Sequence, residues 1–354
     1  MFSNRSLIAI DIGSSAIKAI EVIGSGQKKL NAFGFELLPQ GAVVDGAVKD
    51  RAVVENALIR VLKRSGISYK GRRAAVAVSG SGVLMKNVMI GVKDGASLEQ
   101  QVFYEAEQQF AQDIQDLYMS HSVIGGPNEA GETPVLLVAA RRDIVEDIIG
   151  TVRATGMRTG VVDCGTLAIA NMFEYSYGAV DSMIFLANIG ANLTQICLVS
   201  QGQYLFSRDI SLGGAEYTRR ISQALNVSFD NAESLKLSAS SQDGVAPPEV
   251  TQIITELNEQ MVGELSSSLN YYLSGGAAAG AAGPTHVFLV GGGSRVLGLD
   301  AAIAASMQLP VQLMNPFQRV SVGGKIPIDK MMSQSHLFGV AVGLSMRSMD
   351  DSDV

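Results

Sequence analysis

The stretch that decides the fold is LIAIDIGSSAIKAIEV, residues 7–22. Two isoleucine-rich runs flank the triplet Gly13-Ser14-Ser15, a pattern that predicts a β-hairpin with a tight turn, and the acid Asp11 stands just before that turn. A simple hairpin would use Gly13 for a positive φ angle. A phosphate loop would use the backbone N–H groups of the turn to hold an anion, and the carboxylate to manage its metal. The hairpin alone leaves both interpretations open.

The composition excludes several classes of protein. Apolar residues make up 47% and charged residues 17% of the 354 residues, which predicts an ordered globular protein with more than one core. A net charge of −7 and a pI of about 5.1 exclude the basic footprint of a nucleic-acid-binding protein. Cys164 and Cys197 match no metal-ligand spacing and are expected to be buried thiols. Without a signal-peptide pattern or an apolar window of about 20 residues, we expect a soluble cytoplasmic protein.

The opening pattern returns near the middle of the chain. The segment MIFLANIGANLTQICLV, residues 183–199, can be laid over the first hairpin without a gap. In this alignment Asn-Ile-Gly at 188–190 falls on Asp-Ile-Gly at 11–13, and Gln195 falls on Lys18. Such an internal duplication predicts two similar α/β halves that face each other across a cleft.

The segment between the two hairpins has a different character. Residues 83–157 predict strand, helix, strand, strand and helix, an α+β insertion with a small core of its own. Late in the chain, SGGAAAGAAGP at 274–284 predicts a flexible connector. Elsewhere the periodicity predicts strands at 6–12, 16–23 and 28–37, and helices at 50–65, 214–225, 229–239, 248–273, from 296 and from about 335.

The glycine-rich motifs indicate a common chemistry. Two hairpin turns on facing halves can clamp a polyphosphate from opposite sides through their N–H groups. Asp11 would then hold a hydrated Mg²⁺. The cluster Gly291-Gly292-Gly293, between an apolar strand and a helix, would let a nucleoside approach the backbone closely. One such turn is usually only a turn, but three in this order with an internal repeat favour nucleotide binding.

These motifs resemble those of a known superfamily. AIDIGSSAIKAIEV is similar to the first phosphate loop of the actin/Hsp70/hexokinase superfamily, ANIGANLTQICLV to the second, and VFLVGGGSRVLGL to the adenosine motif. Within it, the chain resembles the PilM family of type IV pilus assembly proteins, relatives of the cell-division protein FtsA, from about residue 5 to 345. Further supporting segments are YEAEQQF (104–110), VLLVAARRDIVEDII, VVDCGTLAIANMF, FSRDISLGGAEYTRRI and NAESLK (231–236).

The resemblance implies a fold and a ligand. The fold is α/β, with duplicated actin/Hsp70-like (RNase H-like) domains around a nucleotide cleft and an FtsA/PilM-type 1C insertion. The implied ligand is ATP or ADP with Mg²⁺. The implied subdomains are 1A at 1–82, completed by 158–180 and about 330–348; 1C at 83–157; 2A at 181–213, completed by 285–329; 2B at 214–284, including the connector; and an acidic tail at 349–354.

The implied ligand contacts fall into three sets. The metal would be held through water by Asp11, with Asn188 as a weak contributor. The phosphates would contact Gly13, Ser14, Ser15, Lys18, Gly190, Ala191 and Asn192. The adenosine would contact Gly213, Gly214, Glu233, Lys236, Gly291, Gly292, Gly293, Ser294 and Arg295.

Two departures from the family pattern bear on catalysis. Asn188 stands where the second phosphate loop of the family usually has an acid, and Gly165 stands where related sequences usually place a glutamate that orients the attacking water. Hydrolysis needs a positioned water and charge stabilisation at the γ-phosphate, so losing both aids should slow it by orders of magnitude. The sequence therefore favours a nucleotide-binding scaffold with weak or absent ATPase activity.

The resemblance also implies a protein partner. It is the cytoplasmic N-terminal peptide of the inner-membrane protein PilN, in a groove between subdomains 1A and 1C. Tyr104, Glu105 and Gln108 are candidate groove residues, although an ordinary amphipathic helix would also carry them. Membrane association would then come only through partners, at the inner-membrane face of the cytoplasm, and the oligomeric state stays open.

Alternatives remain at this stage. An active ATPase or a sugar-kinase-like phosphotransferase could use the same fold, with Asp163 as the base or merely as a helix cap. A filament-forming division protein like FtsA would carry a basic amphipathic helix at its end, whereas this chain ends in MDDSDV. That tail disfavours the third alternative.

Overall fold

The computed structural model describes residues 6–24, 26–91, 97–110, 113–241, 244–275, 282–324 and 326–348. Most of the predicted connector and the acidic tail at 349–354 lie outside these ranges. The strands are β1 (Ile8–Ile12), β2 (Ala16–Ile23), β3 (Lys29–Leu37), β4 (Val43–Val44), β5 (Ala47–Val48), β6 (Arg73–Val78), β7 (Val83–Gly91), β8 (Leu117–Val123), β9 (Glu132–Arg141), β10 (Arg158–Cys164), β11 (Ile184–Ile189), β12 (Thr194–Ser200), β13 (Gln203–Ile210), β14 (His286–Val290), β15 (Val311–Leu313) and β16 (Ser321–Val322).

Ten helices are present in these ranges, with short 3₁₀ turns at 114–116, 292–295 and 335–338. The helices are α1 (Arg51–Arg64), α2 (Leu98–Gln109), α3 (Arg142–Ala154), α4 (Gly165–Tyr177), α5 (Gly214–Leu225), α6 (Phe229–Ala239), α7 (Pro248–Ser274), α8 (Leu299–Met307), α9 (Ile328–Gln334) and α10 (Gly339–Ser345). In the part of the chain that is described, none of them is both long and apolar enough to cross a membrane.

The two halves share one local topology. The first sheet has the order β10-β6-β1-β2-β3-β16, and the second has the order β13-β12-β11-β14-β15. In each, the hairpin strands pair antiparallel, and the first hairpin strand pairs parallel with a later strand, β6 or β14. The registers agree as well, because Asp11 lies opposite Lys18 and Asn188 lies opposite Gln195. The predicted duplication is therefore confirmed at the level of individual pairs.

Two helices separate the sheets. Helix α10 packs on β1, β2 and β6, α4 packs on β11 and β12, and the two helices pack on each other. A single core joins residues of both halves, such as Ala9 and Leu186, through these helices. The outer face of the first sheet is covered by α1 and α3, and that of the second by α5, α6, α7 and α8. Both halves of the cleft are thus mounted on one rigid centre.

The packing of the predicted insertion bears on where its boundary lies. Strands β7, β9 and β8 form its sheet, and α2 closes a core that includes Val102, Phe110 and Leu137. Helix α3 instead buries Ile144 and Ile148 in the core of the first sheet. The packing therefore favours a boundary of subdomain 1C near residue 141 instead of 157, because a helix belongs to the core that its apolar face fills.

The least predictable region lies between 296 and 338. The predicted helix from 296 begins at Leu299, after Gly298 with a φ angle of 70°. The elements β15, β16 and α9 were missed. The strands β15 and β16 are two or three residues long and exist because they pair in parallel with β14 and β3. Such short pairings depend on distant strands and leave little periodic signal.

Candidate nucleotide cleft and adjoining groove

The first loop is a tight turn closed by a hydrogen bond from Gly13 N to Ala16 O of 3.1 Å. Behind it, Lys18 Nζ lies 3.1 Å from Asp11 Oδ2, and both side chains are mostly buried. Gly13 does not adopt a positive φ angle, so the simple-hairpin interpretation was wrong about its purpose. A Cβ at Gly13 would lie 3.0 Å from Lys18 Nζ, so the missing side chain makes room for the ammonium beside the loop.

The second loop repeats this geometry with neutral groups. Its turn is closed by a hydrogen bond from Gly190 N to Leu193 O of 2.9 Å. Asn188 Nδ2 donates to Gln195 Oε1 at 3.0 Å, in the place that the Asp11–Lys18 ion pair occupies in the first loop. The loss of the acid at Asn188 is therefore matched by the loss of the lysine at Gln195. A neutral pair avoids leaving one buried charge without its partner.

The start of α5 holds the second loop in place. Gly214 N donates to Gly190 O at 2.9 Å, and Ala215 N donates to Ala191 O at 2.8 Å. A Cβ at Gly213 would lie 2.5 Å from Ala191 O and 2.6 Å from Gly190 O. Gly213 was predicted to contact adenosine; its place in the structure is against the phosphate-type loop.

The adenosine-type motif packs on the same loop. Gly291 has a φ angle of 93°, and a Cβ there would lie 2.4 Å from Ile189 O. A Cβ at Gly293 would lie 2.5 Å from Ile189 Cγ2, and Ser294, which is buried, donates to Gly291 O at 2.7 Å. Gly292 faces Leu337, and Arg295 reaches Ser333 O. The predicted adenosine and phosphate motifs of the second half thus meet directly, which only glycines permit.

Helices α5 and α6 are joined by a buried lysine. Lys236 Nζ donates to Gly214 O at 2.9 Å, to Thr218 Oγ1 at 2.9 Å and to Glu233 Oε2 at 2.7 Å. An ammonium has three protons, and all three are used. Burial lowers the pKa of Lys236, and the Glu233 carboxylate opposes that shift. Of the two residues of α6 that were predicted to contact adenosine, Glu233 is the one whose partly exposed side chain is open to a ligand.

Two polar side chains crowd Gly165 at the centre of the cleft. A Cβ at Gly165 would lie 2.5 Å from Ser79 Oγ and 3.2 Å from each terminal atom of Gln195. Gln195 Nε2 also donates to Thr166 Oγ1 at 3.0 Å, which holds the amide there. A glutamate at 165 would therefore require the side chains of Ser79 and Gln195 to shift. The two departures seen in the sequence are parts of one packed arrangement.

A second contact between the halves was missed by the sequence analysis. Gly80 N, just after β6, donates to Asp209 Oδ2 on β13 at 3.0 Å. Burial raises the pKa of Asp209 to about 6, the Gly80 N–H opposes the shift, and Asp45 adds to it. A raised pKa at a cleft is typical of a functional position. Only the tertiary structure brings these residues together, because they come from different halves.

The metal prediction was tested against the side chains. Among the described residues, no three histidine, cysteine, aspartate or glutamate side chains form a cluster able to hold a metal ion. Mg²⁺ commonly binds one or two carboxylates and completes its shell with water and substrate phosphates. Asp11 beside a turn of N–H donors fits that type of site, whereas a site built entirely from protein ligands does not fit.

A large groove lies between the first sheet and the insertion. Its volume is about 1220 Å³, and it is lined on one side by β8 and β9, for example Ser120, Ser122 and Val138, and on the other by β10 and α4, for example Val162 and Leu167. Both β8 and β10 are at the edge of their sheets, so each presents backbone N–H and C=O groups at the groove. Such edges suit an extended peptide.

The predicted groove residues lie elsewhere. Helix α2 packs Val102 and Ala106 onto its own sheet, and Tyr104, Glu105 and Gln108 are not among the residues that line the groove. Tyr104 is 56% exposed, and Glu105 accepts a hydrogen bond from Gln109. The placement of a peptide on these three residues stays a prediction, because exposure on an amphipathic helix does not say which neighbour faces it. The groove is instead bordered by the edge strands β8 and β10, and a strand is known to be at an edge only from the assembled sheet.

Comparisons with known proteins agree with this architecture. A sequence profile of the type IV pilus assembly protein PilM family matches residues 9–349. Cell division protein FtsA of Staphylococcus epidermidis is 24% identical over 261 residues, which cover 65% of this chain and 53% of FtsA. The chain thus spans about half the length of the curated relatives it matches.

Solved structures show the same fold. A PilM–PilN type IV pilus biogenesis complex matches with a TM-score of 0.85 and 22% identity, over 97% of this chain and 98% of that chain. EutJ of Carboxydothermus hydrogenoformans matches with a TM-score of 0.59 and 15% identity, over 98% and 90%. MreB5 of Spiroplasma citri bound to AMPPNP matches with a TM-score of 0.53 and 14% identity, over 98% and 96%. The predicted actin-like fold is confirmed, and the chain belongs to the PilM family of type IV pilus assembly proteins.

Proposed function

We propose that this chain is an ATP-binding scaffold of the type IV pilus machine that holds the cytoplasmic N-terminal peptide of PilN. The observation that carries the proposal is the groove between β8 and β10, in a chain whose fold matches a PilM–PilN complex. The peptide lies in that groove, and the nucleotide lies in the cleft between the halves. The scaffold sits at the cytoplasmic face of the inner membrane and reaches the membrane through PilN.

The two loops support the nucleotide part of the proposal. The first loop offers Asp11 and Lys18 beside its turn, and the start of α5 fixes the second loop through two backbone hydrogen bonds. A protein of the same fold, MreB5, was solved with AMPPNP. With Mg²⁺ bound through water to Asp11, the metal would neutralise phosphate charge, while the turns of this chain hold the phosphates through N–H groups.

The same geometry argues for a scaffold over an active enzyme. Gly165 supplies no acid to orient a water, the side chains of Ser79 and Gln195 crowd that position, and Asn188 carries no charge. Asp163 is the candidate base of the sugar-kinase alternative. It accepts a hydrogen bond from Cys164 N, forms an ion pair with Arg347 and lines the groove. These engagements disfavour the ATPase and sugar-kinase alternatives.

Replacing Asp11 by alanine should weaken Mg·ATP binding about tenfold or more, which is about 1.4 kcal/mol. The variant loses the carboxylate that faces the metal and leaves Lys18 without its partner. Isothermal calorimetry at pH 7.5 measures the change, and single-turnover assays on the native chain should show negligible phosphate release. Glu36→Ala is the matched control, because Glu36 is also a strand acid with cationic partners, Arg60 and Arg64, on the side of α1.

Each failure of this test has a different meaning. Equal Mg·ATP affinity in the native chain and the Asp11→Ala variant would remove Asp11 from the metal site. Rapid turnover by the native chain would favour the ATPase alternative. Absence of nucleotide binding in the native chain would leave a fold that acts only through protein contacts.

Filling the groove should block the peptide and spare the nucleotide. Ser122→Trp places a large ring in the groove from the exposed edge strand β8, and we expect the affinity for a PilN N-terminal peptide to fall about tenfold or more. Val123→Trp is the control, because Val123 is exposed on the same edge strand but is not among the residues that line the groove. Fluorescence anisotropy with a labelled peptide measures both variants.

The same assay also tests the earlier placement on α2. Tyr104→Ala should leave the peptide affinity unchanged, because Tyr104 is not among the residues that line the groove. A loss of affinity in Tyr104→Ala, with Ser122→Trp unaffected, would move the peptide to the outer face of α2.

A further inference from the structure

A chain of hydrogen bonds crosses from the second loop to the first half. Asn188 Nδ2 donates to Gln195 Oε1 at 3.0 Å, and Gln195 Nε2 donates to Thr166 Oγ1 at 3.0 Å. Asn188 stands at the second loop, Gln195 on β12, and Thr166 in the first turn of α4. Gln195 and Thr166 are buried, so neither has water as a replacement partner. Breaking this chain leaves buried polar groups unpaired, which proteins avoid.

The last member of this hydrogen-bonded chain, Thr166, lies in the first turn of α4, which separates the cleft from the groove. Thr166 and Gly165 face Gln195, whereas Leu167 and Asn171 of the same helix line the groove. Asp163, at the end of β10, also lines the groove. The cleft and the groove are therefore separated by one turn of helix. A shift of that turn therefore changes the shape of both the cleft and the groove.

A second hydrogen bond between the halves reaches the same region of the groove. Asp209 lies opposite Gln195 in the pairing of β12 with β13, and it accepts the Gly80 N–H. Gly80 follows β6, which pairs with β10 along the groove. Two neighbouring strands of the second half thus contact two neighbouring elements of the first half. A movement of one half relative to the other therefore displaces groove residues through both contacts.

The direction of the amide chain is set by its surroundings. Gln195 Nε2 donates to Thr166 Oγ1, and the Gln195 side chain also hydrogen-bonds the carboxylate of Asp209. Rotating both amides by 180° would turn the Gln195 oxygen toward that carboxylate, and two acceptors cannot pair. A ligand at the second loop that displaces Asn188 therefore displaces Gln195 and Thr166 with it.

We propose that the chain Asn188–Gln195–Thr166 couples occupancy of the nucleotide cleft to peptide affinity in the groove, with Gln195 and Thr166 as positioning residues. The inference rests on the proposed function, since it needs both ligands. Nucleotide bound at the second loop holds the first turn of α4 in one arrangement. The peptide then meets an ordered wall and loses less conformational entropy on binding. Coupling is positive and reciprocal.

The test compares peptide affinity with and without nucleotide. A labelled PilN N-terminal peptide is titrated with the native chain, with and without saturating Mg·AMPPNP, and we expect binding to tighten about fivefold or more. Thr166→Val keeps the shape of the side chain and removes its hydroxyl. In this variant the ratio of peptide affinity with nucleotide to that without it should fall to about one. Each single-ligand affinity should stay within about threefold of native. Gln195→Met provides a second variant should one fold poorly.

A matched control separates coupling from simple destabilisation. Thr151 is a buried helical threonine whose hydroxyl donates to Asp147 O within α3, remote from the chain of amides. Thr151→Val should keep the full ratio. The reverse titration, nucleotide affinity with and without peptide, must give the same factor in every variant.

The outcomes are distinguishable. An unchanged ratio in Thr166→Val and Gln195→Met would overturn the proposed path. A ratio of one in the native chain, with both ligands bound, would overturn the coupling and leave the proposed function intact. Failure of the native chain to bind either ligand alone would overturn the proposed function, and this inference with it.

Discussion

Replacing Gly213 by alanine is expected to weaken nucleotide binding about a hundredfold. Gly213 has an extended backbone, with a φ angle of −160°, so alanine meets no conformational penalty there. The obstacle is steric, because the new Cβ would lie 2.5 Å from Ala191 O and 2.6 Å from Gly190 O. Both oxygens belong to backbone, so the second loop must move, and its N–H donors move with it.

The neighbouring glycine supplies the control. At Gly214 a Cβ would come no closer than 3.5 Å to Lys236 Nζ, an ordinary contact. Gly214 also begins α5, where alanine is the better helix former. Gly214→Ala should therefore bind nucleotide within about threefold of native, as calorimetry would show. Equal affinities for the two variants would mean that the second loop does not hold the phosphates.

Replacing Gly343 by alanine is expected to lower the free energy of unfolding by about 3 kcal/mol or more. Helices α10 and α4 approach so closely that a Cβ at Gly343 would lie 1.8 Å from Ala168 O and 2.4 Å from Ala168 C. Both atoms are backbone, so the helices must separate at the centre that carries both sheets. A thermal midpoint about 5 °C or more below native would check this.

Gly263 is the matched helical control. It lies within α7 and a Cβ there would meet no atom within 4 Å. Gly263→Ala should stabilise the protein by up to about 1 kcal/mol, since alanine loses less backbone entropy in a helix. The same substitution is thus expected to raise the free energy of unfolding at Gly263 and to lower it at Gly343. A midpoint that falls equally in both variants would contradict the close packing of α4 and α10.

Local patterns in the sequence predict much of the framework. The two hairpins follow from alternating apolar runs around short turns, and their alignment predicted that Asn188 and Gln195 would stand where Asp11 and Lys18 stand. Helix α1 follows from its apolar spacing and the cap Asp50, which accepts a hydrogen bond from Val53 N. These elements depend on neighbours within the same short segment, so a single sequence contains their signal.

Other features depend on how distant segments meet. The sequence indicated that Gly165 lacked an acid, but only the packing shows that Ser79 and Gln195 crowd that position. Lys236 was predicted to contact adenosine, whereas its ammonium is fully engaged by Gly214, Thr218 and Glu233. In each case the partner comes from another element, and periodicity does not say which side chains will share a buried space.

By itself, the sequence determined the duplicated α/β framework, the two turns and the family, because these rest on local periodicity and on motifs of adjacent residues. The tertiary structure alone decided where the groove lies, which core α3 fills and which glycines are tightly packed. The groove arises from two edge strands of different sheets, and the glycine at 343 is required by a helix from another part of the chain. Contacts between distant segments are set by close packing of the whole core, and no local pattern encodes that packing.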